Sequence, residues 1–124
     1  MQDFRKLKVW QKSHRLALRV YAITANLPKT ETFGVTSQAR RAAVSIAANI
    51  AEGSARSGDK EFAKFLYISL GSASELEYFF ILISDLGLLK RPDAAKIETD
   101  AAEIKRMLSG LIASLPMQRL GTDS

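Results

Sequence analysis

The residues of this chain whose types and spacing could do chemistry are mostly cations. Lys8, Lys12, Arg15 and Arg19 recur at spacings of four, three and four. On an α-helix that spacing makes one continuous row. No acid stands among them, and such a row can track the phosphates of a nucleic acid. It is also what a solvated helix face looks like. Arg40 and Arg56 are further candidates for the same contact. A second set, Arg41, Ser45, Asn49 and Glu52, follows at spacings of four, four and three and shares one side of a helix. With Glu75 from a later segment it makes a candidate structural polar network. If that side is buried, these groups must satisfy one another, because an unpaired buried charge is costly. If it is exposed, it is ordinary surface or a ligand contact.

Catalytic chemistry is poorly represented. There is no cysteine, which removes disulfides, thiolate metal sites and cysteine nucleophiles. His14 is the only histidine, and Gln11 stands where a Glu-x-x-His metal pair needs its acid. Glu75 and Glu77 are two residues apart and point to different faces of a helix. No Gly-rich phosphate loop, GxSxG elbow or HExxH pair occurs. No catalytic, cofactor-binding or metal-ligating residue is therefore expected, and a binding or scaffolding module is the remaining class. His14 shares a side with Trp10 and Tyr21, which suits packing.

These groups must be carried by helices. Pro28, Pro92 and Pro116 each fall between helical patterns, and no stretch alternates as a half-buried strand does. The expectation is an all-α, single-domain, up-down-up-down four-helix bundle over residues 1–116. Its helices should run over about 4–26, 36–53, 60–86 and 92–115, with a flexible tail over 117–124. Val9, Leu16, Val20, Ile23 and Leu27 form the inward stripe of the first helix. Ala39, Ala43, Ile46 and Ile50 form that of the second. In the third, Phe62, Leu66, Ser69, Ala73, Leu76, Phe80 and Ile83 alternate by four and three. Ile97, Ala101, Ile104, Leu108, Leu111 and Leu115 do the same in the fourth. Thr36 is the expected N-cap of helix 2, Ser57 or Asp59 that of helix 3, and Gly53 the residue that ends helix 2. Phe33 is expected to plug one end of the bundle. Gly71 lies inside helix 3, and a close approach to the Ala-rich helix 2 would explain it.

At 124 residues, with 47% apolar and 25% charged residues, the chain has the balance of a soluble globular domain. The opening Met1–Lys6 leads into no apolar segment. Glu77 and Asp85 interrupt the apolar run Leu76–Leu89, which is too short and too charged to span a bilayer. A cytoplasmic protein without a membrane partner is expected. The net charge of +5 is unevenly spread. Residues 1–56 hold ten Lys/Arg against three acids, and residues 57–124 hold eight against ten. A basic first half suits a polyanion, or an acidic surface on a neighbouring subunit. Tyr78–Ile83 is apolar all round, and Leu7 and Leu18 lie off the helix 1 stripe. That excess points to a homo-oligomer.

KVWQKSHRLALRVY, NLPKTETFGVTSQARRAAVSIAANIAEGSAR and EFAKFLYISLGSASELE together resemble the bacterial four-helix-bundle proteins encoded in intervening sequences of 23S ribosomal RNA genes. The resemblance spans residues 3 to about 89. It implies an up-down bundle assembled as a homopentameric ring. It also brings in a related protein, the accessory variability determinant of diversity-generating retroelements, a basic pentameric barrel that binds nucleic acid and a reverse transcriptase. Arg40, Arg41, Asn49, Glu52, Gly53, Gly71, Ser72 and Glu75 fall in the family-typical blocks, with no role attached. The leading expectation is a non-enzymatic, homo-oligomeric bundle, pentameric as the resemblance implies, that binds RNA or DNA through basic surface. The alternative is a scaffold that docks an acidic protein partner without nucleic acid.

Overall fold

The computed structural model describes residues 2–116, apart from the Phe33 side chain. The expected Phe33 plug and the 117–124 tail lie outside the described residues. Four helices make the fold: α1 (Lys8–Thr24), α2 (Ser37–Ser54), α3 (Asp59–Asp85) and α4 (Arg91–Ser114). No strand occurs among the described residues. Each helix runs antiparallel to the one before it. Arg40 of α2 reaches back to Thr24 near the end of α1, and Ser45 of α2 meets Ser72 of α3. Lys105 of α4 meets Glu77 of α3, and Lys12 and Arg19 of α1 meet Asp100 of α4, which closes the ring.

The expected inward lines are the observed core except at the end of α4, where Ile112 is buried and the expected Leu111 and Leu115 are only half-buried. Ala39, Ala43, Ile46 and Ile50 are fully buried on α2, as are Leu66, Ser69, Ala73, Leu76, Phe80 and Ile83 on α3, with Phe62 almost so. Ile97, Ala101, Ile104 and Leu108 match them on α4. On α1, Val9, Leu16 and Val20 are buried and Ile23 is half-buried. Buried hydroxyls find backbone partners. Ser13 and Thr24 donate to the carbonyls four residues earlier (2.6 and 2.7 Å), and Ser69 donates across to the Ile46 carbonyl at 2.8 Å.

The ends of the helices depart from expectation. Helix 1 does not run from Phe4. A short 3₁₀ turn over Phe4–Lys6, capped by Asp3, is followed by Leu7 in extended conformation, and α1 starts only at Lys8. Thr36 is not a capping side chain: its backbone is helical and its buried hydroxyl has no hydrogen-bond partner. It continues an irregular helical turn over Thr32–Thr36, broken at Gly34. Neither Ser57 nor Asp59 caps α3. Gly58 holds that position with φ +90, where a left-handed residue is needed and no side chain intrudes. Gly87 at φ +75 follows the end of α3, and Pro92 lies in the first turn of α4.

Gly53, not Gly71, marks the close approach. Gly53 lies inside α2 rather than beyond it. A Cβ there would sit 2.7 Å from the Phe65 Cβ and 3.0 Å from the Phe62 Cδ1. The close approach of α2 to α3 is therefore at Gly53. Gly71 is exposed on α3, and a Cβ added there meets nothing within 4 Å. At 27 residues, α3 is long and apolar enough to cross a bilayer by length and composition, unlike the 76–89 run read from sequence. Here its inner line is the heart of the bundle core.

Gly53→Ala should lose about 1–3 kcal/mol through overpacking. Gly110→Ala, in the open on α4, should gain up to about 1 kcal/mol from helix propensity. Urea unfolding of both variants measures this, and a neutral Gly53→Ala would contradict the close approach.

Candidate nucleic-acid interface

The basic row is present on α1, but it is not a free row of four charges. The α1 face beside α4 meets the acids of α4. Lys12 lies 3.7 Å from Asp100 and 3.3 Å from Glu103, and Arg19 pairs with the same Asp100. Asp100 keeps only 20% of its side chain exposed, and Lys12 only 23%. These two cations tie α1 to α4. Lys8 and Arg15, one step further round the helix, are exposed and form no ion pair among the described residues. The row thus divides into an inner pair that binds carboxylates and an outer pair that faces solvent. Asp100 and Glu103 are three residues apart on α4, and that spacing was the available signal for the match.

Arg40 and Arg56 are both engaged within the chain. Arg40 turns toward α1. Its Nε donates to the Thr24 Oγ1 at 2.9 Å, its Nη2 reaches the Tyr21 carbonyl at 3.4 Å, and its guanidinium lies 4.7 Å from the centre of the Tyr21 ring. Thr24 in turn donates to Val20, so both capacities of its hydroxyl are used. Arg56 pairs with Glu52 one turn earlier at 2.6 Å and lies over the Phe65 ring at 5.1 Å. Stacked and paired guanidinium groups of this kind hold helices together.

The polar set on α2 separates into three local contacts rather than one buried network. At one end Arg41 donates to the Gln38 Oε1 (2.6 Å) and lies 3.9 Å from Glu75. In the middle Ser45 shares a 2.8 Å hydrogen bond with Ser72, and Asn49 donates to the Ser45 carbonyl and hydroxyl (2.9 and 3.0 Å). At the other end Glu52 takes Arg56 rather than Arg40 or Arg41. Arg41, Glu52 and Glu75 are exposed, and Ser45 and Asn49 half-buried. The set forms a polar seam along the outer edge of α2 and α3. On α4, Arg91 pairs with Glu98 at 2.7 Å, and that hydrogen bond raises the guanidinium pKa further above its ordinary value.

His14 is exposed, with its ring stacked on Trp10 at 5.0 Å between centroids and 7° between planes. No group of three or more His, Asp or Glu side chains among the described residues could hold a metal ion.

The sequence model for the 23S rRNA-intervening sequence protein family matches residues 5–110. The chain belongs to that family. It is also similar to a solved protein of unknown function from the S23 ribosomal protein family of Bacteroides thetaiotaomicron. The two share 30% sequence identity with a TM-score of 0.76, over 84% of this chain and 97% of that one. No curated protein matches the chain. The match includes the basic row, the polar seam and most of α4.

Asp100→Asn removes the carboxylate shared by Lys12 and Arg19. Thermal or urea unfolding should show a loss of about 1 kcal/mol or less, since both cations keep solvent access. That loss should shrink in high salt.

Proposed function

We propose that this member of the family is a non-enzymatic, cytoplasmic, homo-oligomeric bundle that binds RNA or DNA through the α1 face. The observation that carries this reading is the exposure of Lys8 and Arg15 beside a Lys12–Arg19 pair already fixed by Asp100. Two exposed, unpaired cations stand next to two paired ones, on a half of the chain that holds ten Lys/Arg against three acids. Repetition of this face around an oligomer would multiply a weak phosphate contact into a strong one. The family's association with 23S rRNA intervening sequences is consistent with a nucleic-acid partner. A pentamer, and a reverse transcriptase as partner, rest on the family resemblance alone. The homo-oligomer has separate support in large apolar side chains left in the open, among them Leu18 at 60% and Tyr78 at 56% exposure.

One observation favours a second reading, a scaffold for an acidic protein. Lys12 and Arg19 already receive a carboxylate-bearing helix face in cis, so the same row can receive one in trans. Nuclease treatment separates the two, because a protein partner is retained and a nucleic acid is lost.

Binding of duplex and single-stranded probes, measured by anisotropy across a salt series, tests the leading reading. Affinity should fall steeply as salt rises. Lys8→Glu with Arg15→Glu should reduce the log–log slope by about two for each subunit in contact. A flat salt response, or an unchanged slope in that double variant, would overturn it.

A further inference from the structure

A cavity of about 280 Å³ opens between α1 and α4, at the Arg19 end of the basic row. Arg19 lines it from α1, and Pro92, Ala95, Lys96, Thr99 and Asp100 line it from α4. Pro92, Lys96 and Thr99 follow at spacings of four and three, so they share one outward line of that helix. Lys96 and Thr99 are exposed, and Lys96 forms no ion pair among the described residues. Two cations and a hydroxyl thus border one concavity. Pro92 and Ala95 add uncharged lining that leaves room for a sugar beside a charged group.

The donor set fits a phosphoryl group. Guanidinium and ammonium groups carry charge and only donate, and a threonine hydroxyl donates to the same kind of oxygen. Arg19 is not exhausted by its partner. Its Nη1 donates to Asp100, which leaves Nε and Nη2 for a second anion, and its side chain is 53% exposed. The cavity also lies against the first turns of α4, at the positive end of that helix dipole, which adds to the attraction of an anion.

Place in the molecule says which anion. Lys8, Arg15 and Arg19 run along α1, over about 17 Å at 1.5 Å per residue. Lys96 carries the line of cations past Arg19 and onto α4. A strand whose phosphates follow the α1 row brings its next phosphate to the cavity. Asp100 opposes that phosphate. Its carboxylate lies on the cavity wall and pairs with both Arg19 and Lys12. It holds within the chain the charge that a phosphate would use.

We propose that this α1–α4 cavity is a phosphate subsite, in which Arg19, Lys96 and Thr99 hold a phosphoryl group and Asp100 competes for Arg19. This rests on the nucleic-acid reading above and extends its interface from α1 onto α4.

Three variants test it, by anisotropy with a single-stranded oligonucleotide across a salt series. Circular dichroism melting confirms that each variant keeps its fold. Lys96→Gln should weaken binding and reduce the log–log slope by about one for each subunit in contact. Thr99→Val removes a hydrogen-bond donor but no charge, so affinity should fall about fivefold with the slope unchanged. Asp100→Asn should bind more tightly than the unaltered chain and with a steeper slope, although its fold is less stable. A merely structural role for Asp100 would not tighten binding. Terminal-hydroxyl and terminal-phosphate forms of the oligonucleotide separate the two sources of the phosphoryl group. An equal effect of Lys96→Gln on both forms marks a backbone phosphate, and a larger effect on the second marks a terminal one; either supports the subsite. Unchanged binding in Lys96→Gln and Thr99→Val, or weaker binding in Asp100→Asn, overturns it. In that event a reduced slope in Lys8→Glu with Arg15→Glu leaves the α1 reading standing. An unaltered chain that binds no oligonucleotide overturns both.

Discussion

Gly53 meets Phe62 and Phe65 with no room for a Cβ, and the rest of the bundle follows from how closely that contact lets α2 lie on α3. A helix whose inner line is Ala39, Ala43, Ile46 and Ile50 has little side-chain thickness to bury. It can contribute a dense core only by bringing its backbone near its neighbour. The Ser69 hydroxyl then reaches the Ile46 carbonyl directly, and Ser45 reaches Ser72 at the edge of the same seam. With α2 and α3 set, α4 covers the other flank of α3, and α1 closes the ring between α2 and α4. The α1–α4 side is more loosely determined by apolar packing, and the Lys12, Arg19 and Asp100 cluster gives it register.

That division places the cations of one row in two environments. Lys12, which is half-buried, and Arg19, which is exposed, both reach carboxylates of α4. Lys8 and Arg15 are turned about a ninth of a circle further out and meet water. An electrostatic surface built this way is partly preorganised. The inner charges are held in place by the fold, and the outer ones are available to a partner.

The helix interiors were legible in the sequence because burial writes its own period. The lines through Leu66, Ser69 and Ala73 and through Ala101, Ile104 and Leu108 are buried as their four-three spacing requires. The helix ends were not legible. Thr36 has the right residue type for a cap, but the turn before it is already helical. The break comes at Gly34 instead. Gly53 and Gly71 look alike in sequence, each a glycine among small residues, and only the packing tells which one a neighbour needs. The site was half legible. The row on α1 follows from spacing, whereas its pairing with α4 depends on the order of helices around the ring. Arg40 stacked on Tyr21 and Arg56 on Phe65 had no one-dimensional signature. Cation–ring contacts between helices leave no periodic trace.

The central claim is that the α1 face, with Lys8 and Arg15 outermost, is where this protein meets nucleic acid. Ultraviolet cross-linking of the purified protein to its co-purifying nucleic acid, followed by mass spectrometry of the adduct-bearing peptides, measures that most directly. The account predicts adducts on peptides that span Lys8 to Arg19. Adducts confined to α3, or protein that carries no nucleic acid and forms none with added RNA or DNA, would contradict it.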